Sequence, residues 1–231
     1  MIIKFLLLTS YSILLLLSTV GYGILFKNIF LKDNGFLNLS LIGLLGLFSL
    51  YLISSITHIF LPHNYFHNTI LHLIGLFIAY FFRKEFKRDE LKFIFGFFIA
   101  LFIGLLISKT NEDFPYYHLP FSLQLVEQKL QFGLGNINIA YNHFSSLFHI
   151  NSVFYLPFVD FYLFNLTNFL FQIFFFSGLL LLISRNETPN FTKIFLSLTL
   201  ILYLVKFSRL AEYGADLPGQ LLALYSVIFC S

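Results

Sequence analysis

Two stretches of the chain carry side chains able to do chemistry. "TNEDFPYYHLP" (110–120) sets Glu112 and Asp113 beside Tyr116, Tyr117 and His118. A carboxylate close to water yet bordered by low dielectric can take a proton from a hydroxyl, hold a divalent cation or balance a developing positive charge. "KFSRLAEYGADLPGQ" (206–220) supplies Lys206, Arg209, Glu212 and Asp216. Arg209, Glu212 and Asp216 fall at i, i+3 and i+7, one face of a helix if a helix reaches that far. The planar fork of Arg209 suits bidentate bonds to phosphate oxygens, and Lys206 offers a second cation. The plainer readings are solvated acids marking a lipid boundary and cations that snorkel to headgroups.

The elements that must hold these residues follow from composition. Of 231 residues, 58% are hydrophobic and 11% charged, which excludes disorder and argues against an ordinary soluble domain. Repeated apolar runs near the length needed to cross a bilayer predict an all-α, polytopic transmembrane bundle of about seven spans. Helices are expected at about 5–26, 36–61, 66–82, 93–108, 161–183, 194–208 and 217–229. The first run is too long and unpunctuated for a cleaved signal peptide. A single cysteine, Cys230, rules out an intrachain disulfide or a cysteine metal cluster. The heavy use of Phe and absence of Trp fit an AT-rich, bacterial coding bias, so an inner-membrane location is expected, with membrane lipid and no nucleic acid as partner. The last run stops at Ser231, as in the front part of a longer protein.

"RKEFKRDELK" (83–92) concentrates basic residues and is expected to face the cytoplasm. Counting outward, the 109–150 loop, "PHNYFHN" (62–68) and "RLAEYGADLPG" (209–219) all face outside, and so does the N-terminus. Within the long loop, Leu119, Leu123, Val126 and Leu130 share one helical face and Gln124, Glu127, Gln128 and Gln131 the other, an amphipathic helix lying in the membrane interface. "GLGN" (133–136) is expected to end it. The chain thus reads as three leading spans with a basic loop (1–92) followed by a module carrying the long loop (93–231).

An acid at the outer end of a transmembrane helix, followed by "YYHLP" and an interfacial helix, resembles the first outer loop of the GT-C superfamily of integral membrane glycosyltransferases. The resemblance covers roughly residues 93–229 and rests on "EDFPYYHLP". It implies sugar transfer from a polyprenyl-phosphate donor to a glycan, lipid or protein acceptor at the extracytoplasmic face. It puts the base, or a carboxylate of a divalent-cation site, on Asp113, with Glu112 the alternative. Tyr117 and His118 would then contact substrate. Arg209 or Lys206 as the phosphate contact, with Glu212 and Asp216 beside them, follows from chemistry and not from the motif. In many members the motif-bearing helix is the first, whereas three precede it here.

Three other readings compete. A transporter would carry ionisable groups deep in its spans, where this chain has mainly Gln172, with Asp160 and Lys206 near span ends. A metal site is conceivable at His58, His63, His67 and His72, with His63 and His67 at a chelating spacing, although histidines capping helix ends are the simpler account. The third is a non-catalytic membrane subunit.

Overall fold

Apolar runs interrupted by short polar turns give a chain whose described residues are helical. The computed structural model describes residues 2–31, 37–107, 113–142, 145–205 and 216–230. Ten α-helices occur among them and no strand. They are α1 (Ile2–Phe26), α2 (Leu39–His58), α3 (Tyr65–Phe81), α4 (Arg88–Leu105), α5 (Leu119–Glu127), α6 (Leu134–Ile137), α7 (Ser146–Val153), α8 (Leu166–Ser184), α9 (Asn190–Val205) and α10 (Asp216–Cys230). Helices stand at all seven positions expected from the apolar runs. Among the described residues three segments, Ile3–Leu31, Leu39–His58 and Phe161–Ser184, are long and apolar enough to cross a membrane.

Helix α8 is the hub. It packs against α2, α4, α7, α9 and α10, and its stretch from Leu166 to Leu179 is buried on every side. An apolar sequence of this kind shows no amphipathic stripe because it has no solvent or lipid face to mark. Around it, α1 packs on α2 and α3 through glycines. A Cβ at Gly46 would stand 1.9 Å from the Thr19 carbonyl oxygen, and one at Gly23 would stand 1.8 Å from that of Ile42. Backbones this close exclude any side chain, the device by which small residues pack helices where burial alone supplies no driving force. One buried cluster runs from Leu15 to Tyr225, across the boundary expected at residue 92.

The two ends of the bundle differ in chemistry. At one end Lys27 pairs with Glu85 at 2.8 Å, and Glu90 accepts from the Leu39 backbone N–H at 2.6 Å. Asn38 caps the same helix start through Leu41 N, so a carboxylate and an amide both satisfy the exposed donors of α2. Helix α4 therefore begins at Arg88, five residues before the apolar run, because Asp89 and Glu90 suit a first turn. The other end holds His58, His63, His67 and His149 and the described parts of the segment 113–165.

The interfacial helix differs from expectation. α5 stops at Glu127, and Gln128 is extended. Gly133, in the left-handed region at φ 83°, opens α6 and does not close α5. The buried face is His118, Phe121, Ser122 and Leu125, with Val126 beside it, while Leu130 is exposed. The register is shifted because α5 packs on α7 through Phe121 and Phe148, whose rings lie 5.3 Å apart. A small buried serine and an aromatic outweigh the leucine stripe.

Candidate functional site

Of the residues expected to do chemistry, Asp113 begins the turn before Phe114–His118. It is exposed and makes no hydrogen bond or ion pair among the described residues. His118 is buried, 4.3 Å ring to ring from Tyr117 and 5.4 Å from Phe148, and Tyr117 is half-buried on the same cluster. Glu112, Lys206, Arg209 and Glu212 lie outside the described residues, and Asp216 is the first residue of α10. The structure therefore brings Tyr117 and His118 together, and no described contact joins Asp113 to them.

Another acid is built into the same end of the bundle. Between Leu156 and Asp160 the chain closes a tight loop, with Asp160 N–H donating to the Leu156 carbonyl at 3.0 Å. Pro157 enters it, and Phe158 and Asp160 both take positive φ, 69° and 56°. Neither is glycine, so the loop stores strain that its surroundings must hold. The holder is Tyr65, the first residue of α3, whose hydroxyl donates to Asp160 Oδ1 and whose ring stacks on Tyr155 at 4.8 Å. Half-buried, Asp160 lines a cavity of about 810 Å3 together with Lys4, Tyr162 and Asn165. The remaining walls are apolar, including Phe5, Leu8, Leu105 and Leu106. A half-buried carboxylate and an exposed ammonium thus line one open cavity with largely apolar walls.

Where α2 ends and α3 begins, with α7 alongside, four imidazoles gather. Ring centroids lie 5.0 Å apart for His58 and His63, 5.5 Å for His58 and His149, 6.0 Å for His63 and His149, and 4.9 Å for His63 and His67. His63 Nδ1 meets Ser152 Oγ at 2.7 Å, and its Nε2 donates to the Ser54 carbonyl at 3.0 Å. His67 Nδ1 meets Asn68 Oδ1. His63 precedes the helix cap Asn64, so the i, i+4 spacing does not form a chelating pair. Its nitrogens pin α2 to α7 instead. No group of three His, Cys, Asp or Glu able to hold a metal ion occurs among the described residues. His72, expected at the turn, is buried in α3, where it meets Ser18 Oγ at 3.0 Å and donates to the Val153 carbonyl at 2.9 Å.

Burial, reinforced by the neighbouring imidazoles, holds His63 far below its ordinary value, and burial with His58 nearby lowers His149 to about 4. In the unfolded chain both protonate near pH 6.5. The unfolded state therefore binds more protons over that interval, and stability falls as pH drops from about 6.5 towards 4. The melting temperature, followed by circular dichroism in detergent, is expected to fall steadily from pH 7.5 to 4.5, by about 2–4 °C per kcal/mol lost. A flat profile over that range contradicts the assignment.

A family model described as a domain of unknown function (DUF8201) matches residues 5–231. The chain belongs to this family. No curated protein and no solved structure matches the chain. The family match spans both halves expected from the sequence, as the shared buried cluster does.

A second cavity, of about 600 Å3, runs along α2, α7 and α10 between mainly apolar side chains such as Leu44, Phe48, Ile150 and Leu222. Its one end reaches Tyr51, whose ring lies 6.2 Å from His149. Asp160 and the histidine cluster were the features hardest to reach from sequence. The only local signal for Asp160 is an acid set in "LPFVDFY" (156–162), next to a proline and among aromatics. The partners that hold these groups lie some 90 residues away, as with His63 and Ser152 or Tyr65 and Asp160.

Proposed function

We propose that the chain is a polytopic membrane glycosyltransferase, or part of one, with α1 to α4 and α8 to α10 as its seven spans and the segment 113–165 at the extracytoplasmic end. The observation that carries this reading is Asp160, held by Tyr65 in a largely apolar chamber that also contains Lys4. The chamber suits a lipid-linked sugar: its apolar walls accept the start of an isoprenoid chain, and its two charges match a phosphate and an incoming hydroxyl.

In this mechanism an acceptor hydroxyl gives its proton to Asp160 as its oxygen bonds to the anomeric carbon. The bond from that carbon to the phosphate oxygen breaks, and the electron pair leaves with the lipid phosphate. The ammonium of Lys4 offsets the growing negative charge, a form of stabilisation strengthened by low dielectric. Asp113 is the second candidate base, and Arg209 or Lys206 are further candidate phosphate contacts. Placing 113–165 outside agrees with the basic residues of the 83–92 turn at the opposite end.

The test is turnover of undecaprenyl-phosphate-linked hexoses and pentoses by the chain in nanodiscs, with short glycans as acceptors. Loss of labelled donor with gain of labelled glycan is expected. No turnover of any donor by the folded chain overturns the proposal. The exposure of Asp113 favours a second reading, a non-catalytic membrane subunit, and that outcome would support it.

A further inference from the structure

A smaller cavity lies apart from the Asp160 chamber in its lining. It holds about 260 Å3 and is lined by His58, Gln124, Lys129, Gln131, Phe132 and Tyr141 among others. We infer that this pocket binds a single sugar ring, a neutral polyhydroxylated ligand one residue in size.

The pocket is built, not incidental. Residues 128–130 are clamped to the end of α2 twice: Leu130 N–H donates to the His58 carbonyl at 2.9 Å, and His58 Nε2 donates to the Gln128 carbonyl at 2.9 Å. That second bond fixes the ring's proton on Nε2 and leaves Nδ1 a lone pair, which is buried with no hydrogen-bond partner among the described residues. Across the wall, Gln124 Nε2 donates to Gln131 Oε1 at 2.9 Å, and Gln131 donates on to Gln128 Oε1. The chain of amides orients each dipole and presents both donors and acceptors.

Among the described residues, no carboxylate lines the pocket. Its polar groups are two amides, a phenol, imidazoles and one ammonium, a set that pairs with hydroxyls, which both donate and accept. A cation finds no counter-charge there. A purely apolar ligand would displace water from the donors and acceptors these amides do not spend on one another, at a cost of about 1–3 kcal/mol for each group left unpaired. The volume lies just below the range of about 300–1,000 Å3 usual for ligand sites, so one ring fits where a disaccharide does not. Phe132, 92% exposed at the lip, offers a flat apolar face to the C–H side of such a ring.

Binding, not turnover, tests this, so its failure is separable from that of the transfer reaction. Saturation-transfer NMR would be run on the full chain in nanodiscs with methyl glucoside, galactoside, mannoside and arabinofuranoside, each beside its per-O-methylated form. At least one free glycoside is expected to show transfer and its methylated form none. Gln124→Leu/Gln131→Leu and, separately, Phe132→Ala alter exposed or half-exposed side chains, and each is expected to cut the signal at least threefold with an unchanged melting temperature. Absence of signal from all four glycosides overturns the inference. So does an equal signal from the methylated forms, or a signal that neither variant reduces.

Discussion

Asn68→Leu is expected to destabilise the chain by about 3–6 kcal/mol and to lower its melting temperature by more than about 10 °C. The side chain of Asn68 is fully buried. Its Nδ2 lies within hydrogen-bond reach of three carbonyls, those of His63 at 2.7 Å, Ser152 at 2.9 Å and Tyr155 at 2.9 Å, which share its two protons. Its Oδ1 meets His67 Nδ1 at 2.9 Å. One amide therefore ties the turn after α2, and the stretch from Ser152 to Tyr155 that leads into the strained loop, to α3. Leucine has a similar volume and fills the space, so the loss is electrostatic: buried carbonyls are left without their donor, each at about 1–3 kcal/mol. Measured against a total stability of about 5–15 kcal/mol, that is a large fraction.

Thr19→Val is the control. Thr19 Oγ1 is also buried but has no partner among the described residues, so removing it is expected to be neutral or slightly stabilising. Circular dichroism melts of both variants in detergent separate the cases. Equal melting temperatures for Asn68→Leu and the wild type would show that the three carbonyls find other donors.

The contrast between these two residues shows what the sequence makes legible. Helix positions follow from the length of apolar runs, a local property, and so α1, α2 and α8 lie close to where the pattern puts them. Which polar residue inside a helix matters is not local. Nothing around Asn68 in "HNYFHNTILHLIG" (63–75) distinguishes it from Asn64, yet Asn64 caps a helix while Asn68 reaches residues 84 and 87 positions away. The amphipathic reading of α5 meets the same limit. Leu119, Leu123 and Val126 pack together beside Phe164, but Leu130 is exposed, and Phe121 and Ser122, outside that stripe, are buried against α7. The acidic loop motif was legible as a motif, but the exposure of Asp113 depends on a turn whose tertiary setting the motif does not encode.

Asp160→Asn is expected to lower the rate of sugar transfer by about 10²–10⁴-fold, the usual worth of a positioned general base. The change keeps the shape and leaves a carbonyl oxygen to accept from Tyr65, so the loop and its positive φ angles are retained and the melting temperature should move little. What disappears is the ability to take a proton. If Asp160 served only to hold the loop, Asn would hold it almost as well and transfer would continue. Asp113→Asn, made in parallel, separates the two acids, because an exposed carboxylate in bulk water has its charge screened and gains little from its site. The expected order is a large loss at 160 and a small one at 113. The reverse order would move the base to the loop motif and leave Asp160 a structural anchor. Tyr65→Phe sharpens the comparison. It removes the donor to Asp160 without touching the carboxylate, so the rate should fall by a smaller factor while stability falls more than in Asp160→Asn. A base and the residue that positions it then differ in which quantity each one controls.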